Sequence, residues 1–189
     1  MYGRRIDSLR QHLAELLPDS GTVLDLGCGD GLLASLLQQV LPETHFRGMD
    51  VLVREETKIP VESFDGESVP LDDNSVDTVM IIDVLHHTET PEVLLREAKR
   101  VARNSIVIKD HTDSGFLSNS TLRFMDWVGN ARHGVALPYN YLSRSQWDEL
   151  FGELGLQIEA WNGKPRMYGM PADLIFGRSL HFVTRLGWA

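Results

Sequence analysis

The chain predicts a single α/β domain on a mostly parallel sheet, and three observations predict it. Short apolar runs suited to buried strands alternate with stretches of helical spacing. The first such run, Thr22-Val-Leu-Asp-Leu26, leads directly into glycines at 27, 29 and 31, as expected where a strand ends in a bare loop at the ligand-binding edge of an open α/β sheet. The length, 189 residues, suits one domain with a sizeable core, spanning 1–189, and leaves little room for a second.

Taken in order, residues 4 to 17 place Ile6, Leu9, Leu13, Leu16 and Leu17 on one helical face, which Pro18-Asp-Ser-Gly21 ends. Tyr2, Arg4 and Arg5 open that helix and are expected in solvent, with the cleft as the alternative. After Gly31, Leu32, Leu33, Leu36 and Leu37 recur at helical spacing to about Val40. His45-Phe-Arg-Gly-Met-Asp50 reads as the second strand and Val61 to Gly66 as the third with its exit. Asp77 to Asp83 is the most apolar strand and so is expected at the centre, followed by Val84-Leu-His-His87. Thr90 at the N-cap and Pro91 at the first position start a helix with Val93, Leu94, Ala98 and Val101 inward. Ser105 to Lys109 is the fifth strand, with Asp110-His111 at its exit. Ser143-Arg-Ser-Gln146 forms a capping box for a helix carrying Trp147, Leu150, Phe151 and Leu154, which Gly155 closes. Leu156 to Trp161 and Arg178 to Leu186 are the last two strands.

Composition narrows the function. A net charge of -9 disfavours non-specific binding to a phosphate backbone, so nucleic acid is not expected as a partner. Cys28 is the only cysteine, which forbids an intrachain disulfide and points to a reducing compartment. Neither a charged-then-apolar leader nor a long uncharged apolar run is visible, so no transmembrane segment and a cytoplasmic location are expected.

The glycine loop carries the chemistry. Its spacing is G-x-G-x-G, whereas a dinucleotide fingerprint places the third glycine one residue later. Asp25, just before the turn, would repel a pyrophosphate and favour a ligand ammonium, which argues against a nicotinamide dinucleotide. Asp50 lies 25 positions further on, at the end of the next strand, where a carboxylate accepts from both hydroxyls of a ribose. Adjacent histidines at 86 and 87 in a strand-exit turn are expected to point apart, and no Cys/His cluster completes a metal site.

Val23 to Gly31 resembles motif I of the class I S-adenosylmethionine-dependent methyltransferases, closest to the type 11 group that includes ubiquinone and menaquinone biosynthesis enzymes. Asp65, Gly66, Val69 and Pro70 match that group's third-strand exit. The resemblance implies a Rossmann-like, seven-stranded, mostly parallel sheet with an antiparallel last strand inserted beside the fifth, helices on both faces, and a helical cover after strand five. It implies S-adenosyl-L-methionine as cofactor, held by Asp25, Gly27, Cys28, Gly29, Asp50, Val51, Asp65, Gly66 and Asp83. Asp50 would take the ribose, Asp65 would accept from the adenine amino group beside the Gly66 amide, and Asp83 would lie near the methionine part. An ordinary Asp-Gly turn would use the same dipeptide.

The connection after strand five, 111–144, is long enough to be functional. Leu117, Thr121, Phe124, Met125 and Val128 share a helical face expected to pack over the sheet's carboxyl edge, with Phe124 and Leu117 read as core. Trp127, Tyr139 and Tyr141 join apolar bodies to polar handles and are the candidates for binding an organic acceptor. His111, with Asp110 to orient it, is the first candidate for a general base, ahead of His87 and His133. The expected activity is methyl transfer to a small organic molecule, to oxygen or carbon rather than nitrogen. A cofactor-binding protein without turnover, as sensor or partner subunit, would use the same motifs. An exposed aromatic cover could pair with a partner, so an oligomer is compatible with this reading.

Overall fold

The computed structural model describes residues 2–115, 117–130, 138–169, 173–177 and 179–189. Helix α1 (Tyr2–Ala14) precedes β1 (Ser20–Leu26), α2 (Leu32–Gln38), β2 (Glu43–Asp50), β3 (Val61–Ser63) and β4 (Val76–Ile82). Then come α3 (Pro91–Val101), β5 (Ala102–His111), α4 (Ser118–Asn130), α5 (Arg144–Glu153), β6 (Gln157–Asn162), α6 (Asp173–Phe176) and β7 (His181–Gly187). The seven strands form one sheet in the order β3-β2-β1-β4-β5-β7-β6. β1, β2, β3, β4 and β5 pair in parallel, while β7 pairs antiparallel to both β5 and β6. The seven-stranded sheet with an antiparallel strand beside the fifth is the expected architecture.

Alternation along the strands divides the core. Leu24, Leu26, Val79, Ile81, Ile106 and Ile108 pack under α3 and α5, whereas Val23, Met80, Val107 and Val183 pack under α1 and α2. Every strand of the central four is therefore apolar on both faces, as a covered parallel sheet requires. Asp25 shares the parity of Val23 and so lies on the α1 side. Asp110 and His111 have opposite parity at the end of β5, yet both side chains reach His86.

Two local expectations change. Thr90 precedes α3 but makes no side-chain cap bond; the Thr88 hydroxyl accepts from the Thr90 amide at 3.0 Å instead, folding this turn on itself. Helix α4 stands on Leu122 and Ser118, which are buried, while Leu117 and Phe124 are 58% and 56% exposed. Reading these two as core was wrong because the Ser118 hydroxyl binds the Asp113 carboxylate and turns the 117/121/124/128 stripe away from the sheet. Ser143 and Gln146 do form the capping box on α5, and that helix buries Trp147, whose Nε1 donates to the His111 carbonyl at 3.0 Å. No helix of the described residues is long and apolar enough to cross a membrane.

Candidate active site

Register along the sheet brings the strand exits together. Asp25 sits opposite Gly48 of β2 and Met80 of β4, and Ile82 opposite Lys109 of β5, so the residues just beyond these positions share one edge. Two recesses open there. One, about 390 Å³, is lined by Gly27, Gly29, Asp50, Val51, Gly66 and His87 among others. The other, about 220 Å³, is lined by Arg5, Asp25, Cys28, Asp30 and apolar residues of α1 and α2. Gly27 and Asp83 line both.

The glycine loop shapes the junction. Gly27 has φ +79°, and a Cβ there would lie 2.4 Å from Val84 Cγ2. At Gly29, φ is +61° and an added Cβ would meet nothing within 4 Å, so the backbone is bare toward the first recess. Asp50 secures this loop. Its Oδ2 accepts from the Gly29 amide at 2.7 Å and its Oδ1 from the Leu52 amide at 2.9 Å.

Asp25 is 3% exposed. Burial, with the nearby Asp50 charge adding to it, raises its carboxyl to about 7. Burial, then the same acids, push the Cys28 thiol up to about 12, so it is no nucleophile. Asp65 does not face the recess. It is exposed, and its Oδ1 accepts from the Glu67 and Ser68 amides at 2.8 and 2.7 Å, bonds that hold its carboxyl below the usual range. Its neighbours Phe64 and Gly66 line the recess instead. Glu97 and Arg100 of α3 clamp the Val69–Leu71 backbone, which makes the Val69-Pro70 step part of the scaffold.

Between the exits of β4 and β5 lies a buried polar cluster. Asp83 has φ +57° and pairs with the Lys109 ammonium and, at 3.1 Å, with Arg5 Nη2. Burial would raise its carboxyl, but Lys109, His111 and Arg5 hold it far below the usual range. Lys109 is fully buried and its own affinity for a proton is lowered by that burial. Asp110 Oδ1 lies 2.6 Å from His86 Nδ1 and 3.5 Å from His111 Nδ1. His111 Nδ1 is 3.3 Å from His86 Nδ1 and 3.8 Å from Asp83 Oδ1. Burial, then the Lys109 and His86 charges, lower the His111 imidazole to about 4, so it is neutral near pH 7.

Asp83, His86 and His111 thus bring one metal-ligand atom each within 4.8 Å of one another. Hydrogen bonding and charge account for this cluster more economically than a metal. Two carboxylates, Asp83 and Asp110, already face two cations, Lys109 and Arg5, beside the neutral His111 imidazole, so a divalent ion would add uncompensated buried charge. His86 and His87 do not point apart: their ring centroids are 4.0 Å apart.

The cover residues separate. Tyr141 is buried and stacks on His86 with ring centroids 5.7 Å apart, and meets His111 edge-on with centroids 5.9 Å apart. Tyr139 packs beside it with Arg123 over its ring at 4.3 Å. Trp127 is 58% exposed on the outer side of α4. His133 lies outside the described residues, as does part of the 111–144 cover. Sequence reasoning missed Lys109 and His86 as partners in the cluster and favoured solvent for Arg5, with the cleft as the alternative that the structure bears out. A lysine ending an otherwise apolar strand and running into Asp-His was the available signal for the first; nothing local marks Arg5.

Comparison with known proteins gives this geometry a family. Residues 2–160 match the family model described as a methyltransferase domain. A putative methyltransferase in complex with the Trm112 methyltransferase activator from Haloferax volcanii superposes with a TM-score of 0.73, at 17% identity over 95% of this chain and 88% of that one. A SAM-dependent methyltransferase from Aquifex aeolicus gives 0.65, at 18% identity over 95% and 88%. Magnesium protoporphyrin IX methyltransferase from Synechocystis PCC 6803, with bound SAH, gives 0.63, at 16% identity over 97% and 82%. In sequence, an uncharacterized 37.1 kDa protein in transposon TN4556 of Streptomyces fradiae is 36% identical over 93 residues, which spans 43% of this chain and 27% of that protein. The chain belongs to the methyltransferase-domain family, and its fold is shared with the methyltransferases it superposes on.

Proposed function

We propose that this protein methylates a small organic molecule, at oxygen or carbon, at the exits of β4 and β5. The observation that carries this reading is that a recess suited to adenosine and a smaller one suited to an amino-acid chain share Gly27 and Asp83, beside a buried neutral histidine. S-adenosylmethionine supplies an activated methyl group, so the protein has to align and, for an oxygen acceptor, to deprotonate. Asp50, Val51 and Gly66 would hold the ribose and adenine side. Asp65 would join them only if its carboxylate left its own loop amides. Asp25 in its ionised form would meet the ammonium of the amino-acid end.

His111 would act as the base. Asp110 and Asp83 both face its Nδ1, which favours the proton on that nitrogen and leaves Nε2 basic. Asp110 supports this less directly than an Asp–His pair would, because its shorter bond goes to His86. Tyr141 and Tyr139 would contact the acceptor, while the exposed Trp127 would contribute only at the outer rim or to a partner. The net charge of -9 supports a small-molecule acceptor over nucleic acid, and the single thiol suits a reducing cytoplasm.

A second reading, cofactor binding without turnover, draws on His111 being 4% exposed beneath Tyr141. Calorimetric binding of S-adenosylhomocysteine, followed by a radiolabelled methyl-transfer screen against phenols, enols and hydroxy acids, tests both. Binding with labelled product is expected. Binding without product across the panel would favour the second reading, and absence of binding would overturn the cofactor site itself.

A further inference from the structure

We propose that a third recess, further along the carboxyl edge of the sheet, binds an oxyanion, and that the methyl acceptor brings it as a carboxylate or phosphate group. The second half rests on the methyl-transfer reading above; the recess itself does not.

This recess, about 500 Å³, is lined by Thr112, Ser114, Arg144, Trp161, Asn162 and Lys164 among others. None of its described lining residues is acidic and two are cations, in a chain whose net charge is -9. Its place follows from the sheet. β5 and β6 both run antiparallel to β7 and so parallel to each other, which puts the exit of β6 on the same edge as those of β4 and β5. With neighbouring strands about 5 Å apart, β6 leaves the sheet about 10 Å from β5. Thr112 adjoins His111, the proposed base. An acceptor of modest length therefore reaches from one to the other.

Arg144 is held ready to meet an oxyanion. Its Nε donates to both oxygens of Asp148, at 2.8 and 2.9 Å, and its guanidinium carbon lies 3.7 Å from the centre of the Trp161 ring. That ring is in turn stacked on Phe182, with centroids 4.5 Å apart and planes 8° from parallel, so the guanidinium rests on a fixed surface. Among the described residues neither Nη nitrogen of Arg144 has a partner, and neither does the Lys164 ammonium. Paired Nη groups take a carboxylate or phosphate in two bonds. Asp148 balances one of the two cations, which leaves one positive charge for a ligand to neutralise. Asn162 Oδ1 accepts from the Lys164 amide at 3.0 Å and leaves its Nδ2 as a further donor. The Ser114 hydroxyl donates to the Ser179 carbonyl at 3.0 Å and so closes the wall. An apolar or cationic group would leave these donors unmet.

The first arm of the test titrates inorganic phosphate and glutarate into the full chain at constant ionic strength, with chloride as control, and follows the Trp161 indole N–H by NMR. Saturable shifts are expected in wild type, weakened about tenfold or more by Arg144→Gln and about threefold by Lys164→Gln. Arg103→Gln, which removes equal charge at the far end of β5, should leave them unchanged, and thermal melts confirm folding. No saturable shift in wild type, no weakening by Arg144→Gln, or equal weakening by Arg103→Gln would overturn the proposal. The second arm pairs each acid in a labelled methyl-transfer panel with its amide. The acids are expected to be the better acceptors, with Arg144→Gln raising KM about tenfold and far more than it lowers kcat. Equal transfer to acid and amide would overturn the acceptor half and leave a site for free phosphate. If the phosphate titration behaves as expected and no acid or amide is methylated, it is the methyl-transfer reading that falls.

Discussion

Asp110 Oδ1 lies 2.6 Å from His86 Nδ1, joining the exits of two adjacent strands. The same carboxylate accepts from the Leu85 amide at 3.0 Å and the His111 amide at 2.7 Å. Asp110 is fully buried, yet its carboxyl is held well below the usual range, with burial opposed by His86 and His111. One charged group thus ties together the turn bearing Asp83 and the strand end bearing His111.

Removing it takes the buried acceptor from the Leu85 and His111 amides and breaks the contact with His86 Nδ1. Asp110→Ala is expected to cost about 3 kcal/mol or more of folding stability, read as a lower midpoint in urea denaturation. A change within about 0.5 kcal/mol would show that the carboxylate is not the tie described.

Asp25 predicts a pH-dependent affinity. Burial raises the carboxyl to about 7 in the folded protein, from an ordinary value of 3.8, so between these values the folded state keeps a proton that the unfolded state has lost. Stability without ligand therefore falls as pH rises through that window. Asp25→Asn should melt higher than wild type at pH 8 and like it near pH 4. A ligand ammonium favours the ionised form, so S-adenosylhomocysteine should bind about tenfold tighter per pH unit from roughly 5.5 to 7 and then level off. A flat calorimetric profile would refute this.

His111 works in the opposite sense. Its folded value of about 4 lies below the ordinary 6.5 of an imidazole, so the unfolded state takes up a proton that the folded state refuses. Stability is lost as pH falls from about 6.5 toward 4, with the buried His181, also lowered, adding to the effect. Imidazole NMR should show His111 neutral down to about pH 5. In an active assay, His111→Gln should lower kcat by about 10² or more while S-adenosylhomocysteine affinity holds.

The two acids assigned to adenosine should part company. Asp50 lines the recess and secures Gly29, so Asp50→Ala should weaken S-adenosylhomocysteine by about a hundredfold. Asp65 spends its carboxylate on its own loop, and Asp65→Ala should weaken binding by about threefold or less. Comparable losses in calorimetry would return Asp65 to the adenine.

Glycine substitutions separate fold from site. Gly27→Ala combines positive φ with a Cβ 2.4 Å from Val84, and should cost about 2 kcal/mol or more. Gly29→Ala carries the φ penalty alone, about 1 kcal/mol, because its Cβ meets nothing within 4 Å. Its larger effect should fall on ligand binding, since the added methyl points into bare backbone space.

The glycine loop, the strand-and-helix alternation, the capping box on α5 and the acid at position 50 were legible because each depends on residues close together in the chain. Periodicity and turn chemistry are local quantities. The direction in which α4 faces was not, because the Ser118–Asp113 contact that rotates it looks in sequence like two polar loop residues.

By itself, the amino-acid sequence determined the class of sheet and the bare loop at its ligand-binding edge, and the resemblance of Val23 to Gly31 to motif I named the cofactor to expect. Only the tertiary structure decided that Asp65 turns outward, that Arg5 reaches the cleft, and that Asp110 serves His86 before His111. Those outcomes depend on which strand exits become neighbours and on how buried charges find partners across them, 78 positions apart for Arg5 and Asp83. Electrostatic energy depends on distance in space, and separation along the chain does not encode it.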